Sequence, residues 1–334
     1  MSCHITINEK CPNSWNKNLL NSKLGNVHQT KEYGEFVKFQ TKSEPRFLQF
    51  FNNKEDLIGQ LLIFRSFKGR GKITKILGRG TILSTLGKVS KIFSKYYTWQ
   101  SGPIIFNENY IDDIFQSLGN FLINQKCYFT GYIPPMSHGY NFPKQFNFKE
   151  KIVGTFIIDL KQGLDNILKQ SDKKSVQKNI KRSIERGVTI SQIDSYKKLK
   201  VYHELQKKHR KSNDVLPYRW EDVKKWYELF GPIGDSGLIA WFDDKPVGGI
   251  LFSSFNGYIN ESGIARSSID SEKNLYSQDL LRWKIIEWGI VQGCSYYDLT
   301  GVKIANRSQK EEGIFRNKKK WGSDLYKYKV DFIN

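Results

Sequence analysis

Cysteine, histidine and methionine are scarce in this sequence, and long apolar runs are missing. The four cysteines, Cys3, Cys11, Cys127 and Cys294, stand far apart with no C-x-x-C pair. That spacing excludes a disulfide framework and a zinc-finger site. Cys3 and His4 with Cys11 read as bystanders near a terminus, and His203 and His209 are not spaced to stack on one helical face, so no metal is expected. Residues Met1 to Lys10 lack the basic segment and apolar stretch of a secretory signal. The richest apolar runs, Gly59 to Phe64 and Gly248 to Phe252, are far too short to cross a bilayer. The expectation is a cytoplasmic protein. Acid is also missing from one place: between Arg65 and Lys95 there is no Asp or Glu, while Gly69, Gly71, Gly78, Gly80 and Gly87 interrupt the run. That stretch reads as a basic loop in which Arg70, Lys72, Lys75 and Arg79 are candidate phosphate contacts.

What is present is a chain of 334 residues, 39% hydrophobic and 14% aromatic. At roughly 150 residues per domain this suggests two folded domains. The formal charge of +20 is spread over both halves. It favours anionic partners such as RNA, a nucleotide, a phospholipid surface or a diphosphate-linked molecule, or else reflects a generally Lys-rich surface.

Periodicity predicts short helices near Trp15 to Leu20 and Tyr33 to Phe39, then strands Arg46 to Phe51 and Gly59 to Phe67 joined by an Asn52 to Asp56 turn. Trp99 to Phe106 is strand-like with Gly102-Pro103 at its middle. Tyr110 to Gln125 carries apolar residues at helical spacing, and Cys127 to Ile133 is a further strand. Pro143 to Lys151 is the connector, giving domains 1–150 and 151–334, with the last stretch of roughly 15 residues free to return to the first. The second half opens with strand Gly154 to Leu160 and a helical region Leu164 to Arg186, closed by Gly187 as C-cap. Helices Tyr196 to Arg210 and Tyr218 to Phe230 follow. Strands Leu238 to Phe242, Pro246 to Phe255 and Tyr258 to Ala265 are linked by Asp243-Asp244-Lys245 and Asn256-Gly257, both hairpin chemistry. Helix Leu275 to Gln292, with Leu280, Leu281, Ile285, Trp288 and Val291 inward, precedes strand Ser295 to Leu299. Trp283 and Trp288 are assigned to packing. The order hairpin, helix, strand thus occurs twice, which supports an α+β class over a doubly wound sheet.

Local motifs carry a resemblance. The stretch Lys178 to Val188 resembles the basic helix, glycine and valine strand of the FemABX family, which shares the GNAT acetyltransferase fold. Trp283 to Trp288, Gly293 and Tyr297-Asp298-Leu299-Thr300-Gly301 are similar to that family's helix and following Y-D-L-G-G strand end. Gly313 to Gly322, reading GIFRNKKKWG, resembles its closing motif, and Gly102-Pro103-Ile104-Ile105 its G-P-V-V strand. The resemblance implies two GNAT-like domains, mixed sheets with flanking helices, packed around a cleft. It implies an aminoacyltransferase that carries an amino acid from aminoacyl-tRNA to an amine on an anionic, diphosphate-linked precursor, as in peptidoglycan biosynthesis. A GNAT-type N-acyltransferase using acyl-CoA on a nucleotide sugar or envelope precursor, and a non-catalytic basic module for RNA or membranes, stay open. No cofactor is expected beyond the donor itself. The chain is expected to be a monomer, with peripheral membrane association admitted. Where the family often has an aspartate after Gly-Pro, this chain has Phe106, which bears on the acceptor.

Aminolysis of an acyl donor needs a neutral amine, a site for the developing oxyanion and a proton acceptor. No Ser-His-Asp set is required. A CoA diphosphate would need backbone N–H groups of a Gly-rich loop opening the helix after Gly263, but Ile264 to Leu275 contains no glycine and two acids, Asp270 and Glu272. Lys178 and Arg182, with Lys174 at helical spacing, form either a phosphate-facing stripe or a solvated face opposite Val176, Ile180 and Ile184. By resemblance, Arg210 meets acceptor phosphates; by local chemistry it is a helix-terminal cation. Tyr276 lines the cleft or the core. Asp298 takes a proton or holds a basic side chain. Lys318 matches the family lysine three positions before the aromatic-glycine pair, here Trp321-Gly322, and is the candidate for oxyanion stabilisation.

Overall fold

A computed structural model describes residues 3–67, 95–234 and 236–333. Most of the basic stretch, including Arg70, Lys72, Lys75 and Arg79, lies outside the described residues. The chain divides into two compact units: residues 1–153 together with 327–334, and residues 154–326.

In the first unit, β1 (His4–Asn8), β2 (Glu44–Phe51), β3 (Leu57–Phe67) and β4 (Lys95–Trp99) pair antiparallel in that order. The predicted strand through Gly102-Pro103 is divided: that peptide is cis, and only β5 (Ile104–Ile105) follows it, paired with β3. Next to β4 runs β6 (Tyr128–Tyr132), parallel, and the end of a later strand pairs with β6 antiparallel through Val330 to Ile333. Helices α1 (Trp15–Leu19) and α2 (Lys31–Thr41) precede β2, with Thr30 capping α2 by accepting the Tyr33 N–H. Helix α3 (Ile111–Asn124) is the crossover between the parallel strands. Its Ile114, Phe115, Leu118 and Leu122 recur at three- and four-residue steps and are buried in the aromatic core. Each such burial stabilises by roughly 1.5–3 kcal/mol. Gly131 is required because the Trp99 indole lies where its Cβ would be.

The second unit repeats the plan. Its strands β8 (Thr189–Gln192), β9 (Ser236–Phe242), β10 (Lys245–Phe255) and β11 (Tyr258–Arg266) are antiparallel neighbours. β12 (Tyr296–Val302) runs parallel to β11, and β7 (Lys149–Asp159) closes against β12 antiparallel. Asp243 and Asp244 (φ 48° and 56°) and Asn256 and Gly257 (φ 53° and 71°) turn the two hairpins. Positive φ at both central positions matches the right-handed strand twist, which explains the Asp, Asn and Gly residues there.

Successive residues of β9 serve opposite faces. Leu238 and Ala240 join α9 (Ser277–Val291) in one core, and Ile239 joins α6 (Tyr196–Lys211) and α7 (Trp220–Phe230) in another. The crossover helix α9 buries Leu280, Leu281, Ile285 and Ile286, while Val291, expected inward, is 80% exposed at its last position. The helical region predicted from Leu164 to Arg186 is helical in three pieces. α4 (Leu164–Gln170) ends before Asp172, whose carboxylate caps a π-helical turn, Lys173–Gln177, leading into α5 (Lys178–Glu185). A π turn adds a residue and rotates the helix after it. Val176 and Ile180 are buried, while Ile184, in the last turn of α5, is 56% exposed. Short α8 (Ser268–Glu272) precedes α9. Helix α10 (Gln309–Lys319) and strand β13 (Asp324–Ile333) end the chain. Ser308 and Glu311 form a capping box at the start of α10.

Candidate functional site

The parallel strands β11 and β12 pair only from Tyr258 to Asn260 with Tyr296 to Asp298. Beyond that point β11 carries a bulge at Ser262, between the pairs Phe252 with Glu261 and Leu251 with Gly263. β12 makes its own irregularity between Asp298 and Gly301 before rejoining β7 at Thr155. The irregularity puts Thr300 at φ 65°, a left-handed conformation that a β-branched residue adopts only when its surroundings hold it there.

Those surroundings are polar and buried. The Lys318 ammonium, from the end of α10, is 6% exposed and donates to the Thr300 carbonyl (3.1 Å), the Thr300 hydroxyl (3.3 Å) and the Gly301 carbonyl (3.2 Å). The Thr300 N–H donates to Asp298 (2.6 Å), which also accepts from the Tyr258 hydroxyl (2.8 Å) and the Thr155 hydroxyl. Beside them Arg282 of α9 grips Glu261 of β11 through Nε (2.9 Å) and a terminal nitrogen (3.1 Å). The Tyr297 hydroxyl donates to Glu261 (2.8 Å), and Arg282 donates to Asn317 (2.7 Å). Burial pushes the Glu261 carboxyl up, but the Arg282 charge and hydrogen bonds, aided by Lys318 and Tyr297, hold it below its usual range. Burial lowers the Lys318 ammonium against the pull of Glu261 and Asp298. For Asp298 burial wins and raises the carboxyl despite its three hydrogen bonds. Its partners are hydroxyls and a backbone amide; among the described residues no basic side chain bonds to it.

A second group lies at the start of α9. Tyr276, at φ 58°, is its N-cap, and the Arg182 and Arg186 guanidinium groups stand 5.9 and 5.4 Å from the ring centre. Lys178, one turn before Arg182, is exposed on the same helix. Asn179 donates to Asp279 (2.8 Å), and Lys320 pairs with the same carboxylate at 2.7 Å, tying α5, α9 and the end of α10 together. The α9 N-terminus is already occupied from within. Fully buried Asp270 accepts the Ser277 N–H (2.8 Å) and is ion-paired to Arg266.

The structure therefore sets Arg182 beside Tyr276, with Lys178 one turn away on α5, and places Lys318 against Thr300 and Gly301 of β12. Arg210 lies elsewhere, at the end of α6, donating to the Leu216 carbonyl (2.7 Å) with its guanidinium 4.2 Å over the Tyr218 ring. All three oxygen partners of Lys318 are protein atoms, so an oxyanion would have to replace one of them. Sequence reasoning missed Glu261, Arg282 and Tyr297. The signal was there: one carboxylate inside an apolar strand and one guanidinium inside the apolar stripe of α9. Among the described residues no cluster of His, Cys, Asp and Glu could hold a metal, and no helix is long and apolar enough to cross a membrane.

The sequence matches no protein-family model and no curated protein. Solved structures do share its architecture. FemX superposes with a TM-score of 0.73 at 12% identity, covering 98% of this chain and 97% of that one. A tandem GNAT protein from the clavulanic acid biosynthesis pathway gives 0.54 at 9% identity, covering 99% and 98%. L-PGS from Bacillus licheniformis gives 0.51 at 13% identity, covering 91% of each. The fold is thus the α+β tandem GNAT-type fold seen in FemX, as the motifs implied.

Proposed function

We propose that this chain is an acyltransferase that moves an aminoacyl group from charged tRNA to an amine on an anionic, diphosphate-linked envelope precursor. The likeness to FemX supports the reaction class. One observation carries the choice of donor: the α9 N-terminus, where a CoA diphosphate would need free N–H groups and positive potential, is capped by the buried carboxylate of Asp270. In the reaction the amine attacks the ester carbonyl, a C–N bond forms, and the ester C–O bond to the ribose breaks with a proton passing to the leaving oxygen. Lys178, Arg182 and Tyr276 offer two cations and an aromatic face to the donor's phosphates and bases. Arg210 is assigned to acceptor phosphates. Lys318 acts by fixing the strained Thr300-Gly301 backbone where the parallel strands part, and by giving that opening a positive charge.

The test is incubation of the protein and a cell extract with either labelled aminoacyl-tRNA or labelled acyl-CoA, followed by identification of the labelled product. Transfer from aminoacyl-tRNA is expected. Label moving only from acyl-CoA would overturn the donor assignment.

A further inference from the structure

The chain between α6 and α7 presents aliphatic side chains to solvent without being loose. Leu216 is 76% exposed, and its neighbours Val215 and Tyr218 are 39% and 38% exposed. The segment is built by hydrogen bonds. The Val215 N–H donates to the Arg210 carbonyl (2.9 Å), Arg210 Nε donates to the Leu216 carbonyl (2.7 Å), and the Asn213 amide and Ser212 hydroxyl donate to the His209 carbonyl (2.9 Å each). The Tyr218 carbonyl meets His203 Nε2 at 2.9 Å, and Lys310 reaches the Asn213 side chain at 3.3 Å. A tip held this firmly does not turn Leu216 inward, so its aliphatic surface stays in water unless a partner covers it.

The tip carries one exposed carboxylate, Asp214, and cations outnumber it at the adjoining helix end. The last turn of α6 carries Lys208, His209, Arg210 and Lys211. Lys207 is balanced by Glu204 and Arg219 by Asp222. Lys208, Arg210 and Lys211 have no carboxylate partner among the described residues. The geometry points to an anionic bilayer surface as the partner, with Val215 and Leu216 entering the headgroup boundary while Lys208 and Lys211 meet lipid phosphates. Such a surface rewards this combination, because aliphatic burial and screened attraction to anionic headgroups add. RNA fits the cations but not the tip: it makes little use of Leu and Val, and one face of the Tyr218 ring is already covered by Arg210 at 4.2 Å. This inference goes beyond the transfer reaction and does not depend on it.

The test is co-sedimentation of the full chain with vesicles of phosphatidylcholine, with and without phosphatidylglycerol, at low and high salt, in the absence of any substrate. Wild-type protein is expected to pellet with the phosphatidylglycerol vesicles and to be released by salt. Leu216→Asp should weaken that binding by about tenfold or more, with an unchanged thermal melting profile because the side chain sits in no core. Lys208→Gln with Lys211→Gln should weaken it by on the order of tenfold and flatten the salt dependence. Absence of wild-type binding overturns the inference. So does vesicle binding indifferent to Leu216→Asp, or a Leu216→Asp variant that keeps its vesicles but loses affinity for tRNA.

Discussion

Asp331 gives the sharpest test of the packing in the first unit. It is 4% exposed on β13, one of its oxygens finds no hydrogen-bond partner among the described residues, and its ladder neighbour on β6 is Gly131, which offers no side chain. The nearby Lys329 is taken by Glu150 at 2.6 Å. Burial therefore pushes the carboxyl up to about 6 from an ordinary 3.8, with Lys329 opposing and Glu150 reinforcing. The folded state holds the proton more tightly than the unfolded one. Stability is then fully present below the unfolded value and is lost as pH rises through about 6. The difference corresponds to roughly 3 kcal/mol above that window. Asp331→Asn removes the titration while keeping the shape. In urea unfolding followed around pH 4 and around pH 8, the variant should match wild type at the acid end and exceed it by on the order of 2–3 kcal/mol at the alkaline end. An offset between the two proteins that is the same at both pH values would show that Asp331 is ionised and satisfied in the fold.

Three further outcomes are expected. Lys318→Met should cut turnover in the labelled-transfer assay by on the order of a hundredfold and also lower the thermal midpoint, because Thr300 and Gly301 lose their donor; Lys319→Met, on the exposed side of α10, should do neither. Arg282→Met should destabilise by about 3–5 kcal/mol in chemical unfolding, since it leaves Glu261 buried without its partner, and adding Glu261→Gln should recover part of that loss. Tyr202→Phe should be neutral or stabilising by roughly 1 kcal/mol, since the fully buried Tyr202 hydroxyl has no partner among the described residues; a clear loss of stability on calorimetry would mean that the hydroxyl is bonded in solution.

The hairpins and the two crossover helices were readable because their signals are local. Paired turn residues at Asp243-Asp244 and Asn256-Gly257 need positive φ, and an apolar stripe such as Ile114, Phe115, Leu118 and Leu122 needs only helical spacing. Other elements hid behind charge. α10 contains Lys310, Glu311, Glu312, Arg316, Lys318 and Lys319 around a central Gly313, so no apolar stripe announces it, although Ser308 and Glu311 form a readable start signal. β13 alternates through Tyr326, Tyr328, Val330 and Phe332, a period of two that a search for motifs passes over. The site was legible only in part. The motif fixed the position of Lys318, but its three oxygen partners come from a backbone irregularity in β12, and no pattern of residue types encodes that. The Glu261 and Arg282 pair depends on which face of β11 meets α9, a property of register and not of composition.

The last residues of the chain belong to the first compact unit, although the whole second unit intervenes in sequence. During synthesis β6 therefore emerges well before Val330 to Ile333, the residues that cover its edge. Until they arrive, that edge stays open to any other strand, while the second unit is contiguous in sequence and can collapse as soon as it is made. Closing the first unit requires a loop as long as its neighbour, a slow kind of contact. The half made first is then the half finished last, because its closing strand residues follow the whole second unit in sequence.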